Sequence, residues 1–378
     1  MVVRKVVPIV GDITLDRLGI SDQDLAMIQH DTTVVIHAAG AVSFTSPLGV
    51  SIDMNLHGTL RAPEVAKGMR SLASFVHIST GYVNSFMIGQ RIKEKIYPHP
   101  FEGDPLRIFE SLCKMTLQEM DEYERDVVLK VYPNTYVFAK SLTEHLIRSQ
   151  CQSKGIPLAI VRPTVVWGTL SEPVMGWSNG DLAANAIILS TALREFQAWC
   201  GRETAVVDLI PVDVLVKTIL LSATRATAVQ PDRDPFIAVA GTSTTPNPAT
   251  AQKLFGVVTQ CWQNAVPAPR KRVSNDIRNR IFRFLTSNTW YFENTNACQM
   301  DREAPPELSS EGVLEKGIDW LKYIHFVNLG FHEYVLKEKV DRTMVIPYQK
   351  LLPIQKTFAS EVSKSSVLQE EDVALARL

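Results

Sequence analysis

Four short apolar runs, each closed by small or polar residues and separated by helical sequence, constrain what this chain can fold into. Val6 to Asp12 (VVPIVGD), Thr33 to Gly40 (TVVIHAAG), Phe75 to Thr80 (FVHIST) and Ile156 to Pro163 (IPLAIVRP) read as short buried strands. Strands alternating with helices over residues 1 to 170 predict an α/β fold around a parallel sheet. Ligands of such sheets lie at the carboxyl ends of the strands. The turn residues therefore carry more functional weight than the apolar runs they close.

The order of these strand ends is that of a dinucleotide-binding sheet. Asp12 is placed to accept from an adenine amino group, and Ala38, Ala39 and Gly40 leave room for backbone contacts with a cofactor. Tyr136 and Lys140 stand four apart, about one helical turn, so both side chains face the same way. A nearby ammonium favours phenolate and is expected to pull the tyrosine below its ordinary pKa of about 10. The tyrosine can then serve as a general acid. Thr80, at a strand end, supplies a hydroxyl to hold a carbonyl oxygen, with Ser79 next to it as the second candidate. This arrangement resembles the acid–base apparatus of short-chain dehydrogenase/reductases.

The surrounding motifs are more specific than that spacing. They are Gly11 to Thr14 (GDIT), Val34 to Ala39 (VVIHAA), Asp53 to Thr59 (DMNLHGT), Phe75 to Asn84 (FVHISTGYVN) and Glu94 to Tyr97 (EKIY). Tyr132 to Lys140 (YPNTYVFAK), Val161 to Gly168 (VRPTVVWG) and Asp208 to Asp213 (DLIPVD) continue the series. Through them the chain resembles the fatty acyl-CoA reductases, a branch of the extended short-chain dehydrogenase/reductases. The dense part of the resemblance covers roughly residues 5 to 240, and Trp290 to Asn296 and Phe326 to Lys337 resemble that family's helical C-terminal region.

The resemblance implies a Rossmann-like doubly wound sheet with a smaller, mostly helical C-terminal domain. It implies NADPH as cofactor, contacted by Asp12, Ile13, Ala38, Ala39, Gly40, Asn55, Lys140, Pro163, Thr164 and Val165. Tyr136 becomes the general acid, Lys140 its partner and ribose ligand, and Thr80 or Ser79 the catalytic hydroxyl. The implied reaction takes a long-chain acyl-CoA through an aldehyde to the fatty alcohol. A reductase that stops at aldehyde, one acting on a carrier-bound acyl group, and a non-catalytic relative stand beside that reading. The family opens with a strand, a glycine-rich turn and a helix, whereas this sequence starts at what reads as the third strand. The expectation is an N-terminally shortened member lacking the first strand–helix–strand unit, with the glycine turn that binds pyrophosphate missing.

Pattern breaks predict a reductase domain over 1–240, a helical domain over 241–345 and a tail over 346–378. Residues 86 to 130 read as a charged, solvated helical excursion, with a lid over the acyl channel as the alternative. Asp213 is expected near a helix N-cap. Trp177 and Trp199 suit either a core or an acyl pocket. Arg- and Lys-rich stretches, Pro269 to Arg272 and Arg278 to Arg283, suit an exposed helix face, or a site for a coenzyme A phosphate or anionic membrane. Ala376-Arg377-Leu378 matches a peroxisomal address, with the endoplasmic reticulum surface or cytoplasm as alternatives.

A net charge of −1 gives no support for a nucleic-acid partner. Five unpatterned cysteines argue for a reducing compartment and against a zinc site, so no metal is expected. No secretory leader is read, and the apolar stretch Leu182 to Leu193 falls short of the about 18 residues of a membrane span, leaving peripheral membrane contact open. His37 and His77 are expected as satisfied interior or cofactor-edge residues. Gly176 to Gly180 (GWSNG) fits a hydrolase elbow with Ser178 as nucleophile, but the loop Ser171-Glu172-Pro173 stands where the elbow needs a strand.

Overall fold

The computed structural model describes residues 5–180, 184–192, 201–230, 232–262 and 283–339. In chain order come α1 (Asp22–Asp31), β1 (Val34–His37), α2 (Leu48–Ser51), α3 (Gly58–Ala66), β2 (Ser74–Ile78), β3 (Arg91–Ile92), α4 (Pro105–Leu112), α5 (Leu117–Asp126) and α6 (Thr135–Lys154). Then follow β4 (Leu158–Pro163), β5 (Val165–Trp167), α7 (Ala184–Ala192), β6 (Leu209–Pro211), α8 (Val212–Ala226), β7 (Phe236–Ala240), α9 (Ala251–Trp262) and β8 (Tyr291–Phe292). Helices Thr295–Glu303 and Trp320–Gly330 come last among the longer elements.

The chain divides into two compact units that it visits alternately. The first holds Met1–Phe86, Glu94–Arg162 and Ile219–Ala238; the second holds Met87–Lys93, Pro163–Thr218 and Val239–Leu378.

A four-stranded sheet in the order β1-β2-β4-β7 organises the first unit. The β1–β2 and β2–β4 ladders are parallel, with His37 opposite His77 and Ile78 opposite Val161. Ala62 and Ala66 of α3 and Ile147 and Cys151 of α6 close over Phe75, Leu158, Ile160 and Ile237 of the sheet. The expected α/β architecture is therefore present. Val6 to Asp12 departs from the reading: it forms no strand, and Val6, Val7 and Val10 are exposed. Apolar character makes a strand only where a ladder and a covered face are available, and this segment has neither. From Leu48 to Ala66 the backbone stays helical, passing through a π-helical stretch over Ile52–His57. Within 86–130, α4 and α5 are the expected solvated helices, capped by Asp104 and by a Thr116/Glu119 capping box.

Parallel pairs β5–β6 and β3–β8 belong to the second unit. Its core gathers Trp167, Phe255, Trp262, Trp320, Tyr323 and Phe331. Each polar handle there has a partner: Trp167 Nε1 donates to Asn185 Oδ1 at 2.9 Å, Trp262 Nε1 to Asn328 Oδ1 at 2.9 Å and Tyr323 OH to the Gly168 carbonyl at 2.7 Å. Asp213 is the second residue of α8, and its carboxylate takes the amides of Leu170, Ser171 and Glu172 at 2.8 to 3.0 Å. It stands in the first turn, near the N-cap as expected, and braces that loop. Trp177 is exposed and thus no core residue, while Trp199, Pro269 to Arg272, most of Arg278 to Arg283 and Ala376-Arg377-Leu378 lie outside the described residues. No helix among the described residues is long and apolar enough to cross a membrane.

Candidate active site

Helix α6 presents the central pair, and its first turn explains its position. Asn134 caps it, accepting from Val137 N at 2.9 Å, while Thr135 Oγ1 donates to the Ser46 carbonyl at 2.7 Å and meets Ser51 Oγ at 2.8 Å. Tyr136 and Lys140 follow one turn apart on a buried face, 9% and 5% exposed. Lys140 Nζ donates to the Ile78 carbonyl at 2.9 Å, which ties the helix to the end of β2. The Phe44 ring lies 5.9 Å from that of Tyr136.

Burial sets the electrostatics here. Desolvation pushes the Tyr136 phenol up to about 12, the reverse of the downward shift expected from the lysine. It also draws Lys140 down to about 8, with the Glu144 carboxylate opposing the fall. Removing a phenolate from water outweighs the attraction of a neighbouring ammonium that is itself poorly solvated.

Just beyond β2, Thr80 Oγ1 accepts from Tyr82 N at 3.3 Å and caps the 3-10 turn Gly81–Asn84, which packs against α6. As an acceptor in that bond, the hydroxyl keeps its own proton for donation. Ser79 Oγ is buried without a hydrogen-bond partner. Beyond β1, Ala38, Ala39 and Gly40 are exposed. A Cβ at Gly40 would lie 2.6 Å from Asn55 Oδ1 and 3.8 Å from Lys140 Nζ, so only glycine fits there. Asn55 spends its amide on Ala41, accepting from its N at 2.9 Å and donating to its carbonyl at 3.0 Å. That makes Asn55 a brace for the loop carrying Gly40.

The remaining expected contacts are dispersed. Asp12 Oδ1 accepts from Thr14 N at 2.8 Å and Thr14 Oγ1 at 2.7 Å, and those bonds hold its carboxyl below the usual range. Ile13 packs against Gly58, and its carbonyl accepts from Arg61 Nη1 at 3.1 Å. Pro163, Thr164 and Val165 belong to the second unit. There Thr164 Oγ1 donates to the buried Asp208 at 3.0 Å and Val165 pairs with Leu209. Ser178 is buried and bonded to Asn185, which leaves the hydrolase reading without a partner base at the serine.

Sequence reasoning missed three features. His37 and His77 are interior, as expected, but none of their ring nitrogens has a hydrogen-bond partner; their rings lie 5.7 Å apart on adjacent strands. Phe44 was not singled out at all. Neither was the buried Glu144–Arg162 pair, with Arg162 Nε 2.9 Å from Oε1 and Nη2 2.6 Å from Oε2. Only Glu144 had a readable signal, since it continues the four-residue steps of Tyr136 and Lys140.

A family model described as male sterility protein matches residues 1–219. The chain belongs to that family. Human fatty acyl-CoA reductase 2 is 28% identical over 382 residues, 89% of this chain and 72% of the human protein. Rat fatty acyl-CoA reductase 1 is 24% identical, over 89% of this chain and 73% of the rat protein. The resemblance to fatty acyl-CoA reductases is thereby borne out. Against three Drosophila melanogaster relatives, one named fatty acyl-CoA reductase wat and 31% identical, the chain spans only 39%, 42% and 40% of their length. Among solved structures, the terminal R domain from the myxalamid PKS-NRPS biosynthetic pathway superposes with a TM-score of 0.58 at 16% identity, covering 90% of this chain and 78% of that one. A UDP-glucuronic acid 4-epimerase from Bacillus cereus in complex with NAD gives 0.51 at 16% identity, over 84% and 79%. Both establish the fold.

Proposed function

We propose that this chain reduces a fatty acyl thioester, a long-chain acyl-CoA, with a nicotinamide dinucleotide, NADPH, to the alcohol through the aldehyde. The observation that carries the reading is the buried Tyr136–Lys140 step on α6, tied through Lys140 Nζ to the Ile78 carbonyl two residues ahead of Thr80. The open Ala38-Ala39-Gly40 turn and the unpartnered Ser79 Oγ fit a polar ligand lying across the ends of β1 and β2. Gly40 and Lys140 would hold that cofactor, with Asn55 bracing the loop that carries Gly40; when bound it would supply one hydride to the acyl carbon, with loss of the coenzyme A thiolate, and a second hydride to the resulting aldehyde.

The residues do the rest. Tyr136, protonated throughout the neutral range because burial holds its pKa near 12, donates to the oxygen that gains charge. Thr80 offers a hydrogen bond to the same oxygen. Lys140, still largely charged at neutral pH, places a positive charge beside it.

The test is turnover of hexadecanoyl-CoA with NADPH by the purified chain, reading hexadecanal and hexadecanol separately. Tyr136→Phe is expected to lower the rate about a hundredfold or more, the scale of a lost general acid. Product formation by that variant close to the parent rate would overturn the assignment.

A further inference from the structure

Tyr136, Lys140 and Glu144 follow one another at four-residue steps along α6, and all three are buried. Arg162 at the end of β4, also buried, holds Glu144 through Nε and Nη2 and gives a further bond from Nη2 to the Lys95 carbonyl at 3.0 Å. Its Nη1 has no partner.

We propose that Glu144, oriented by Arg162, is a positioning residue for Lys140, its carboxylate serving as the buried counter-charge that keeps the Lys140 ammonium charged beside Tyr136. This rests on the reductase reading for its purpose but not for its physics. The groups around Lys140 leave no other candidate among the described residues. On its own helix Tyr136 and Glu144 stand one turn to either side, and Glu144 acts on it electrostatically; from β1 and β2 it is within electrostatic reach of His37 and His77, which burial and Lys140 itself keep neutral; its hydrogen bond goes to an uncharged carbonyl. Glu144 also acts on Tyr132 and His145, and neither of those supplies negative charge at neutral pH.

Two buried cations thus face one carboxylate, Arg162 bonded to it directly and Lys140 one helical turn away. A guanidinium does not give up its proton, so if the carboxylate is lost the lysine yields its own. Glu144→Gln should therefore let Lys140 deprotonate at lower pH. Arg162→Met frees the carboxylate for Lys140 alone and should move the lysine the opposite way. A pair that merely braces the fold would be broken alike by both variants and would shift Lys140 in one direction or not at all.

The measurement is an NMR titration of protein labelled with 13C at lysine Cε, with the Lys140 signal identified by its loss in Lys140→Met. In Glu144→Gln the midpoint is expected about one pH unit or more below the parent, and in Arg162→Met above it. An unmoved midpoint in Glu144→Gln, or shifts of the same sign in both variants, overturns the proposal. Should Glu144→Gln fail to fold, Arg162→Met decides alone: an upward shift supports the role, and no shift or a downward one ends it. Because the signal needs no turnover, a chain inactive toward acyl-CoA but showing the opposed shifts would refute the reductase reading and leave the Glu144 assignment standing.

Discussion

Burial draws Tyr136, Lys140, His37 and His77 each toward the neutral form, and that common direction has consequences for stability. His37 is drawn down to about 4 by desolvation first and Lys140 second. Below pH 6.5 the unfolded chain binds a proton there that the folded chain refuses, so stability present above pH 6.5 is lost as pH falls toward 4. At 1.36 kcal/mol per pKa unit the full window is worth roughly 3 kcal/mol. In His37→Gln the drop in urea midpoint between pH 7 and pH 4.5 should be smaller than in the parent; an equal drop would show that the imidazole is not the acid-sensitive group. His77, at the same level on β2, shifts in the same direction for the same cause and should behave alike.

Helix α6 carries the candidate site, and its ends are set by two residues whose chemistry is local. Asn134 supplies the side-chain cap, and Gly155 closes the helix at φ 67° with its N–H directed to Cys151 and Gln152 carbonyls. Asn134→Ala is expected to cost about 1 kcal/mol through the lost cap. A Cβ at Gly155 would meet nothing within 4 Å, so Gly155→Ala should cost a similar amount, about 1 kcal/mol, from backbone conformation alone. Urea unfolding of the two variants checks both; a Gly155→Ala as stable as the parent would mean the left-handed turn relaxes freely. The legibility of this helix follows from such short-range causes: the Pro-Asn-Thr start, the glycine stop and the four-residue steps are all written in consecutive residues.

Over the whole molecule, each unit encloses a core of its own, one where α3 and α6 meet the sheet and one around the tryptophans of the second unit. The sheet's β1 edge leaves apolar side chains in contact with solvent. Val34 and Ile36 are 42% and 41% exposed, and Val6, Val7 and Val10 are exposed nearby in sequence. Apolar side chains on an edge strand favour association with other chains. Ile36→Lys should reduce concentration-dependent association in sedimentation velocity while leaving the far-ultraviolet circular dichroism unchanged. Equal association in the variant would place the sticky surface elsewhere.

By itself the sequence determined the α/β class, the strands read within Thr33 to Gly40, Phe75 to Thr80 and Ile156 to Pro163, which the structure bounds at Val34–His37, Ser74–Ile78 and Leu158–Pro163, and the helix bearing Tyr136 and Lys140, because apolar runs, turn residues and caps act between near neighbours. Tertiary structure alone decided the rest. Val6 to Asp12 carried the same apolar signal as the true strands and failed for want of a ladder partner, a fact about distant residues. Asn55 and Asp213 turned their polar groups to Ala41 and to the loop at Leu170, partners that no spacing rule selects. Even the sign of the Tyr136 shift was out of reach from its neighbours in sequence: a lysine four residues away argues for a lower pKa, and only the depth of burial shows that desolvation wins.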